Sequence, residues 1–357
     1  MAVSDRISTI RSLLDRIGIE ALLFFDLKNI RYLSGFTGSD GLLLVEGDRT
    51  TLLVDGRYIE QAKEETHGVH LFEYREKNDG IEAVLADTKA KAVGFESPAL
   101  DVDTFLILKD KLKEIEFRPV SGEIRFLRAR KDEAEIGYVK KAASLAAESL
   151  SAVLGQIKVG ISEYDLAFEL DFQIRRRGSS QVSFETIAAT GFNSVCPHAK
   201  PTHRKLEDGD IVMIDYGAVV DGYHSDETCT FIFGRADERQ KKVYALVKDA
   251  HDMALESIKA GVSCREIDHI ARNYLEEHGF GDFFPHATGH GVGLDVHEAP
   301  RLSPKSDDIL DSGMIVTVEP GIYIPDTWGI RIEDMVLVRE DGCEILSKMA
   351  KDLTILR

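Results

Sequence analysis

Apolar positions along this chain recur with two periods, and the switches between them outline the fold. Near the start, Ile7, Ile10, Leu14 and Ile17 lie at helical spacing, with Ser4 placed to cap that helix and Gly18 to end it. Runs of strand length follow at 21–25, 41–45, 50–54 and 92–95, with helical spacing between some of them. This predicts a small α/β domain over residues 1–123, ending in the turn-rich stretch Pro119-Val-Ser-Gly-Glu123. Residues 125–131 form a basic run, read as a solvated face. From about Asp132 the helical period returns through Ala142, Leu145, Ala146, Ser149 and Val153, opening a second domain over 124–357.

Residues 211–233 read as two strands joined by the turn signal Asp221-Gly222. Aspartate is depleted in strands, yet Asp215 follows the apolar run 211–214, and Asp226 lies beyond the turn. An acid in a buried strand needs a compensating charge.

A repeat frames this segment. Ile157-Lys-Val-Gly-Ile-Ser162 returns as Ile258-Lys-Ala-Gly-Val-Ser263 at an offset of 101 residues, and Gly178 returns as Gly279. Ser162 with Asp165 and Ser263 with Glu266 have the capping-box pattern, so each copy predicts helix, glycine turn and capped helix. The helix before the second copy carries the stripe Val243, Leu246, Val247, Ala250, Ala254. Each helical unit precedes strands with two acids: Asp215 and Asp226, then Glu319 and Glu333. A duplicated unit folded about a pseudo-two-fold axis would bring the pairs face to face.

The second copy adds His286-Ala-Thr-Gly-His-Gly-Val-Gly-Leu-Asp-Val-His297, three of the chain's 11 histidines. Glycines flank His290, so the backbone there can pass close to a bound group. Glu319 follows the apolar run 314–318 and precedes Pro320-Gly321, and alternation through 330–338 puts Glu333 on the face of Arg331. Four carboxylates converging in a poorly solvated site repel one another unless protons or cations join them. With one imidazole they match two divalent metals, and the mostly oxygen donor set favours Mn²⁺, Co²⁺ or Fe²⁺, while affinity alone lets Zn²⁺ compete; Mn²⁺ is the first expectation. Two such ions about 3.5–4 Å apart share a hydroxide and polarise a carbonyl, and the chemistry implied is hydrolysis.

Composition narrows the partners. A formal charge of −18 with pI near 5.1 argues against a nucleic-acid surface or an anionic membrane. Cys196, Cys229, Cys264 and Cys343 are scattered, as expected of reduced thiols, and Met1-Ala-Val-Ser-Asp-Arg6 lacks the apolar core of a signal peptide, so the expected location is the cytoplasm. The stretch 34–41 lacks the lysine and spacing of a phosphate loop.

The order Asp215, Asp226, His290, Glu319, Glu333, with Gly289-His-Gly-Val-Gly293 and Val318-Glu-Pro-Gly321, resembles the pita-bread metallopeptidases, specifically the Xaa-Pro aminopeptidase and prolidase (Xaa-Pro dipeptidase) family. Asn29-Ile-Arg-Tyr-Leu-Ser-Gly-Phe-Thr-Gly-Ser39 resembles the amino-terminal domain of that family and of creatinases, so the likeness covers nearly the whole chain. The resemblance implies an α/β (α+β) fold: a creatinase/prolidase-type N-terminal α/β domain and a C-terminal pita-bread domain of pseudo-two-fold duplicated helix-sheet units. It further implies a dinuclear-metal hydrolase that cleaves the bond between an N-terminal residue and proline with a metal-bridging hydroxide. Its substrates would be Xaa-Pro dipeptides, or peptides with proline second, and the enzyme would be a homodimer.

By the same likeness Asp226 and Glu333 would bridge the metals, Asp215 would chelate one, and His290 with Glu319 would complete the other. Glu319 would also carry a proton, His198 would face the substrate, His286 would help hold the proline side, and His297 would stabilise the tetrahedral intermediate. Arg331 and Tyr323 would orient the ligands from behind. Two other readings use the same scaffold. Creatinase shares both domains but lacks the intact ligand set, and a metal-free, non-catalytic pita-bread binding protein would have lost it. All five ligand positions are filled here.

Overall fold

The computed structural model describes residues 3–357 and divides into two compact units, one ending at Arg128 and the other beginning at Ala129. The division falls beyond the expected 119–123. Arg128 donates to Asn29 Oδ1 and so ties the intervening residues to the first unit.

The first unit holds a six-stranded mixed sheet. Its central strand Ala21–Phe24 pairs antiparallel with Leu42–Glu46 and parallel with Ala92–Glu96, and Thr50–Asp55 continues the sheet outward. The edge strands His70–Tyr74 and Glu116–Val120 escaped the sequence reading, because exposed charged residues interrupt their apolar positions. Ser4 is not a cap: it lies inside the helix Val3–Ile17, where its carbonyl accepts the Ser8 hydroxyl. Residues 1 and 2, part of the leader and domain expectations, lie outside the described residues. Gly18 ends the helix with φ 67°, a conformation open to glycine.

The second unit consists of two helix pairs, each on its own sheet. Helices Glu133–Leu154 and Glu163–Arg176 bury Ala142, Ala146, Leu150, Leu166 and Leu170 against a sheet ordered Ile355–Leu356, Glu227–Phe233, Ile211–Tyr216, Ile187–Thr190. Helices Glu238–Ser257 and Cys264–Glu277 pack Val243, Val247, Ala250 and Ile267 on a sheet ordered Glu298–Leu302, Gly289–Gly291, Ile315–Val318, Asp334–Val338, Cys343–Ile345. The repeat in the sequence is therefore a repeat of structure. Its copies differ at their caps: the Ser162 hydroxyl accepts from the Asp165 N–H in a full capping box, whereas Ser263 makes no side-chain cap bond.

Three local expectations are corrected. Residues 211–233 are not one hairpin: Ile211–Tyr216 pairs directly with Glu227–Phe233, and the segment between folds back as its own small hairpin, Val219–Val220 with Tyr223–His224. Asp221 and Gly222, with φ of 51° and 74°, make the expected turn there, which leaves Asp226 just outside the strand. Residues 330–338 are two strands, Trp328–Arg331 and Asp334–Val338, and Glu333 sits in the break. Lys131 is not solvated, since its ammonium is buried 2.7 Å from Glu298 Oε1. A charge pair joining residues 167 positions apart leaves no trace in a local pattern.

Candidate metal centre

The side chains named from the sequence converge where the two sheets of the second unit meet. Asp226, His290 and Glu333 each offer a ligand atom, all within 4.8 Å of one another. His290 Nε2 lies 3.6 Å from Asp226 Oδ2 and 3.4 Å from Glu319 Oε1, which brings the fourth residue in. Asp215 completes the set through Arg331, whose Nη2 donates to Asp215 Oδ2 at 2.6 Å.

The strands explain these positions. Side chains alternate across a strand, so Thr228 and Thr230 share the face that Asp226 extends. The Thr228 hydroxyl donates to Glu333 Oε2 at 2.7 Å and accepts Arg331 Nε at 3.0 Å, and the Thr230 hydroxyl donates to the Arg331 carbonyl at 2.7 Å. The Glu333 N–H reaches the Thr228 carbonyl at 3.2 Å, stitching the break between two strands onto the opposite half. Glu319 is set by its own N–H, which donates to the Thr288 carbonyl at 2.8 Å. Thr288 in turn donates twice to Asp268 Oδ1 from the helix Cys264–Glu277, and Arg272 of that helix donates to the His286 carbonyl at 2.7 Å.

His290 decides what belongs at the centre. Its Nδ1 faces the Gly291 carbonyl at 3.1 Å, and a carbonyl only accepts, so Nδ1 carries the hydrogen. Burial, and then the neighbouring His297, push its pKa down to about 3, so the ring is neutral and Nε2 presents a lone pair. That lone pair meets two carboxylate oxygens. Burial, then repulsion from neighbouring acids (Glu333 on Asp226, Glu319 on Glu333), raises Asp226 and Glu333 well above the carboxylate range, and burial pushes Glu319 up to about 7. Asp215 Oδ1 is buried with no hydrogen-bond partner. Acceptors crowded on acceptors, with one orphaned, fit a site that divalent cations would complete.

The remaining predicted residues surround this core. Tyr323 accepts Arg331 Nη1 at 2.8 Å and donates to His286 Nε2 at 2.9 Å, while His286 Nδ1 donates to the Ala287 carbonyl. Burial, then the Arg331 charge, pushes His286 down to about 4. The His297 ring is exposed and stands 4.2 Å from that of His290, centre to centre. His198 is exposed on the loop after Gly191–Val195, and Arg331 holds that loop by donating to the Pro197 carbonyl at 2.9 Å. Sequence reasoning missed Thr228, Thr317, whose hydroxyl accepts the His290 N–H at 3.1 Å, and the Asp268–Arg272 support. Alternation from Asp226 could have found Thr228; the helix support depends on contacts between distant segments.

Comparison with known proteins fits this arrangement. Residues 137–340 match metallopeptidase family M24, and residues 6–130 match the Creatinase/Prolidase N-terminal domain. A protein of Pyrococcus horikoshii named Xaa-Pro dipeptidase is 36% identical, the alignment covering 98% of this chain and 99% of that one. The solved structure of a Bacillus anthracis protein titled Xaa-Pro dipeptidase superposes with a TM-score of 0.97 at 37% identity, over 99% of this chain and 100% of the other. A Thermotoga maritima structure titled X-Pro aminopeptidase superposes with a TM-score of 0.90 at 34% identity, over 98% and 99%.

Proposed function

This chain belongs to metallopeptidase family M24, and from that premise we propose that it is an Xaa-Pro dipeptidase that works with two divalent cations, Mn²⁺ in the first place. The observation that carries the proposal is the neutral His290 lone pair facing Asp226 and Glu319, with Glu333 alongside. Asp215, Asp226, His290, Glu319 and Glu333 would hold the ions. When bound, the ions would lower the pKa of a water and polarise the scissile carbonyl.

The chain's own groups do the rest. Arg331 and Thr228 fix Asp215 and Glu333 in one orientation each, so the donor atoms are arranged before any substrate arrives. Glu319, beside the reacting centre, takes a proton on a carboxylate oxygen during attack and returns it to the proline nitrogen. Burial keeps His286 neutral and Tyr323 fixes its tautomer, with Nδ1–H pointing away, so the ring packs against the proline side without adding charge. His297 donates toward the developing oxyanion, and His198 contacts the substrate from its loop.

A bond to proline is a tertiary amide with no N–H, so an enzyme that grips the scissile N–H cannot hold it. Carbonyl polarisation needs no such donor. Every residue in this account lies in the second unit, within the proposed catalytic domain 124–357; residues 1–123 form the proposed creatinase-like domain. We place the enzyme in the cytoplasm as a homodimer.

The test is a product assay with Mn²⁺ or Co²⁺ on Ala-Pro, Ala-Pro-Ala and Ala-Ala. Cleavage of Ala-Pro alone is expected. Cleavage of Ala-Pro-Ala would make the enzyme an aminopeptidase, and hydrolysis of Ala-Ala alone would remove proline specificity from the reading.

A further inference from the structure

Behind the candidate ligands lies a second group of charges that the reaction does not use. Asp226 is followed by Glu227 and Glu333 by Asp334, and in each case the second acid opens a strand. Glu227 and Asp334 are thus counterparts in the two copies of the repeat, and both are buried. One cation serves them both. Lys351 Nζ is 2.5 Å from Glu227 Oε1 and 3.5 Å from Asp334 Oδ1, with Cys229 Sγ at 3.4 Å, and it is buried too.

The lysine is itself tied down. Its carbonyl accepts the Tyr244 hydroxyl at 3.1 Å, the nearby Met349 N–H donates to Glu227 Oε1 at 3.0 Å, and Ile355–Leu356 runs parallel to the end of Glu227–Phe233. The acids keep one further partner each. Tyr216 donates to Glu227 Oε2 at 2.9 Å, and His251 Nε2 stands 3.2 Å from Asp334 Oδ2.

Resting on the metallopeptidase reading, we infer that Lys351 is a positioning residue: by holding Glu227 and Asp334 to one ammonium, it sets the spacing of Asp226 and Glu333 and so the affinity of the metal pair. Neighbouring residues in extended backbone point to opposite sides, so fixing the rear acid fixes the backbone that aims the front one. Without the ammonium two buried carboxylates repel each other, and where no proton joins them the relief is to part. Parting them moves Asp226 and Glu333, and a metal site tolerates only about 0.5 Å of such drift.

The experiment is a Mn²⁺ titration of metal-free protein, followed by calorimetry and by the EPR signature of an exchange-coupled Mn²⁺ pair. Lys351→Met should weaken binding at least about tenfold, the usual scale for supports of metal ligands, and replace the coupled spectrum with that of isolated ions. Lys351→Arg keeps the charge and should stay within about threefold of the unaltered protein. If Lys351→Met does not fold, Lys351→Met with Asp334→Asn keeps the local net charge and removes the repulsion while still breaking the clamp, and a smaller loss in the same direction is expected. Wild-type affinity with a coupled spectrum in any folded variant lacking the ammonium overturns the inference. Asp226→Asn, titrated in parallel, separates the two ideas. If it binds Mn²⁺ unchanged, the ligand assignment falls and takes the clamp with it; if it loses metal while Lys351→Met keeps it, only the clamp falls.

Discussion

Thr228 has one hydroxyl proton and gives it to Glu333, leaving its lone pair for Arg331 Nε. Valine has the same shape and neither bond, so Thr228→Val would leave a buried guanidinium N–H unpaired and Glu333 free to turn. The expected cost is about 1–3 kcal/mol of stability and about a tenfold loss of Mn²⁺ affinity, read by urea unfolding and calorimetry. An affinity equal to that of the unaltered protein would remove Thr228 from the site. His297 makes the opposite case, because its ring packs against that of His290 at 4.2 Å and, among the described residues, no hydrogen bond ties it to the carboxylates. Its alanine variant should keep both metals and lose roughly 10²–10³ in turnover, the scale of one oxyanion donor. Loss of metal instead would make it a ligand support.

At the scale of elements, the helix caps show what sequence can and cannot tell. Ser162 and Ser263 stand at matching places in the repeat, and both read as capping boxes, yet only Ser162 forms one. Ser162→Ala should therefore lower stability by about 1 kcal/mol and Ser263→Ala by a few tenths, measured as shifts in the urea midpoint. Equal losses would contradict the difference between the copies. The elements legible in the chain were those whose burial has a period: both helix pairs and the central strands. What stayed hidden depended on breaks in that period. Glu333 lies in a gap between strands, although its side chain meets the Thr228 hydroxyl that Arg331 also reaches, and Asp226 lies before its strand because a small hairpin interrupts the longer one. The four candidate acids nevertheless stood out, since an acid beside an apolar run is anomalous wherever the strand ends, and flanking glycines marked His290. Lys131 and Lys351 did not, because a buried lysine looks like any other until its partner arrives from a distant segment.

For the whole molecule, gathering acids in one buried place should couple stability to pH and to metal. A carboxyl whose pKa is raised in the folded state holds a proton there that the unfolded chain has already lost, so stability falls as pH rises from the unfolded pKa to the folded one. For Glu319 that window runs from about 4.5 to about 7, and for Asp226 and Glu333 it begins in the same range and extends upward. His286 and His290, lowered to about 4 and about 3, act the other way, but only below about 6.5, where the unfolded chain takes up protons. His251 pulls with the acids: burial, the largest influence, lowers it, the bonds to Asp252 and Asp334 outweigh that, and its raised pKa adds stability that disappears as pH climbs past it. Between pH 6.5 and 8.5 ordinary carboxyls are ionised in both states and add no slope, so the carboxyl part of the decline belongs to these buried groups. The melting temperature of chelated protein should fall across that interval, and saturating Mn²⁺ should both raise it and flatten the slope, because the cations take the place of the protons. In Asp226→Asn with Glu333→Gln the slope without metal should shrink to the part left by Glu319 and His251, and Mn²⁺ should have little effect. A chelated protein whose melting temperature is level across the interval would mean that these acids are already ionised and compensated in the fold, with no charge left for a metal to satisfy.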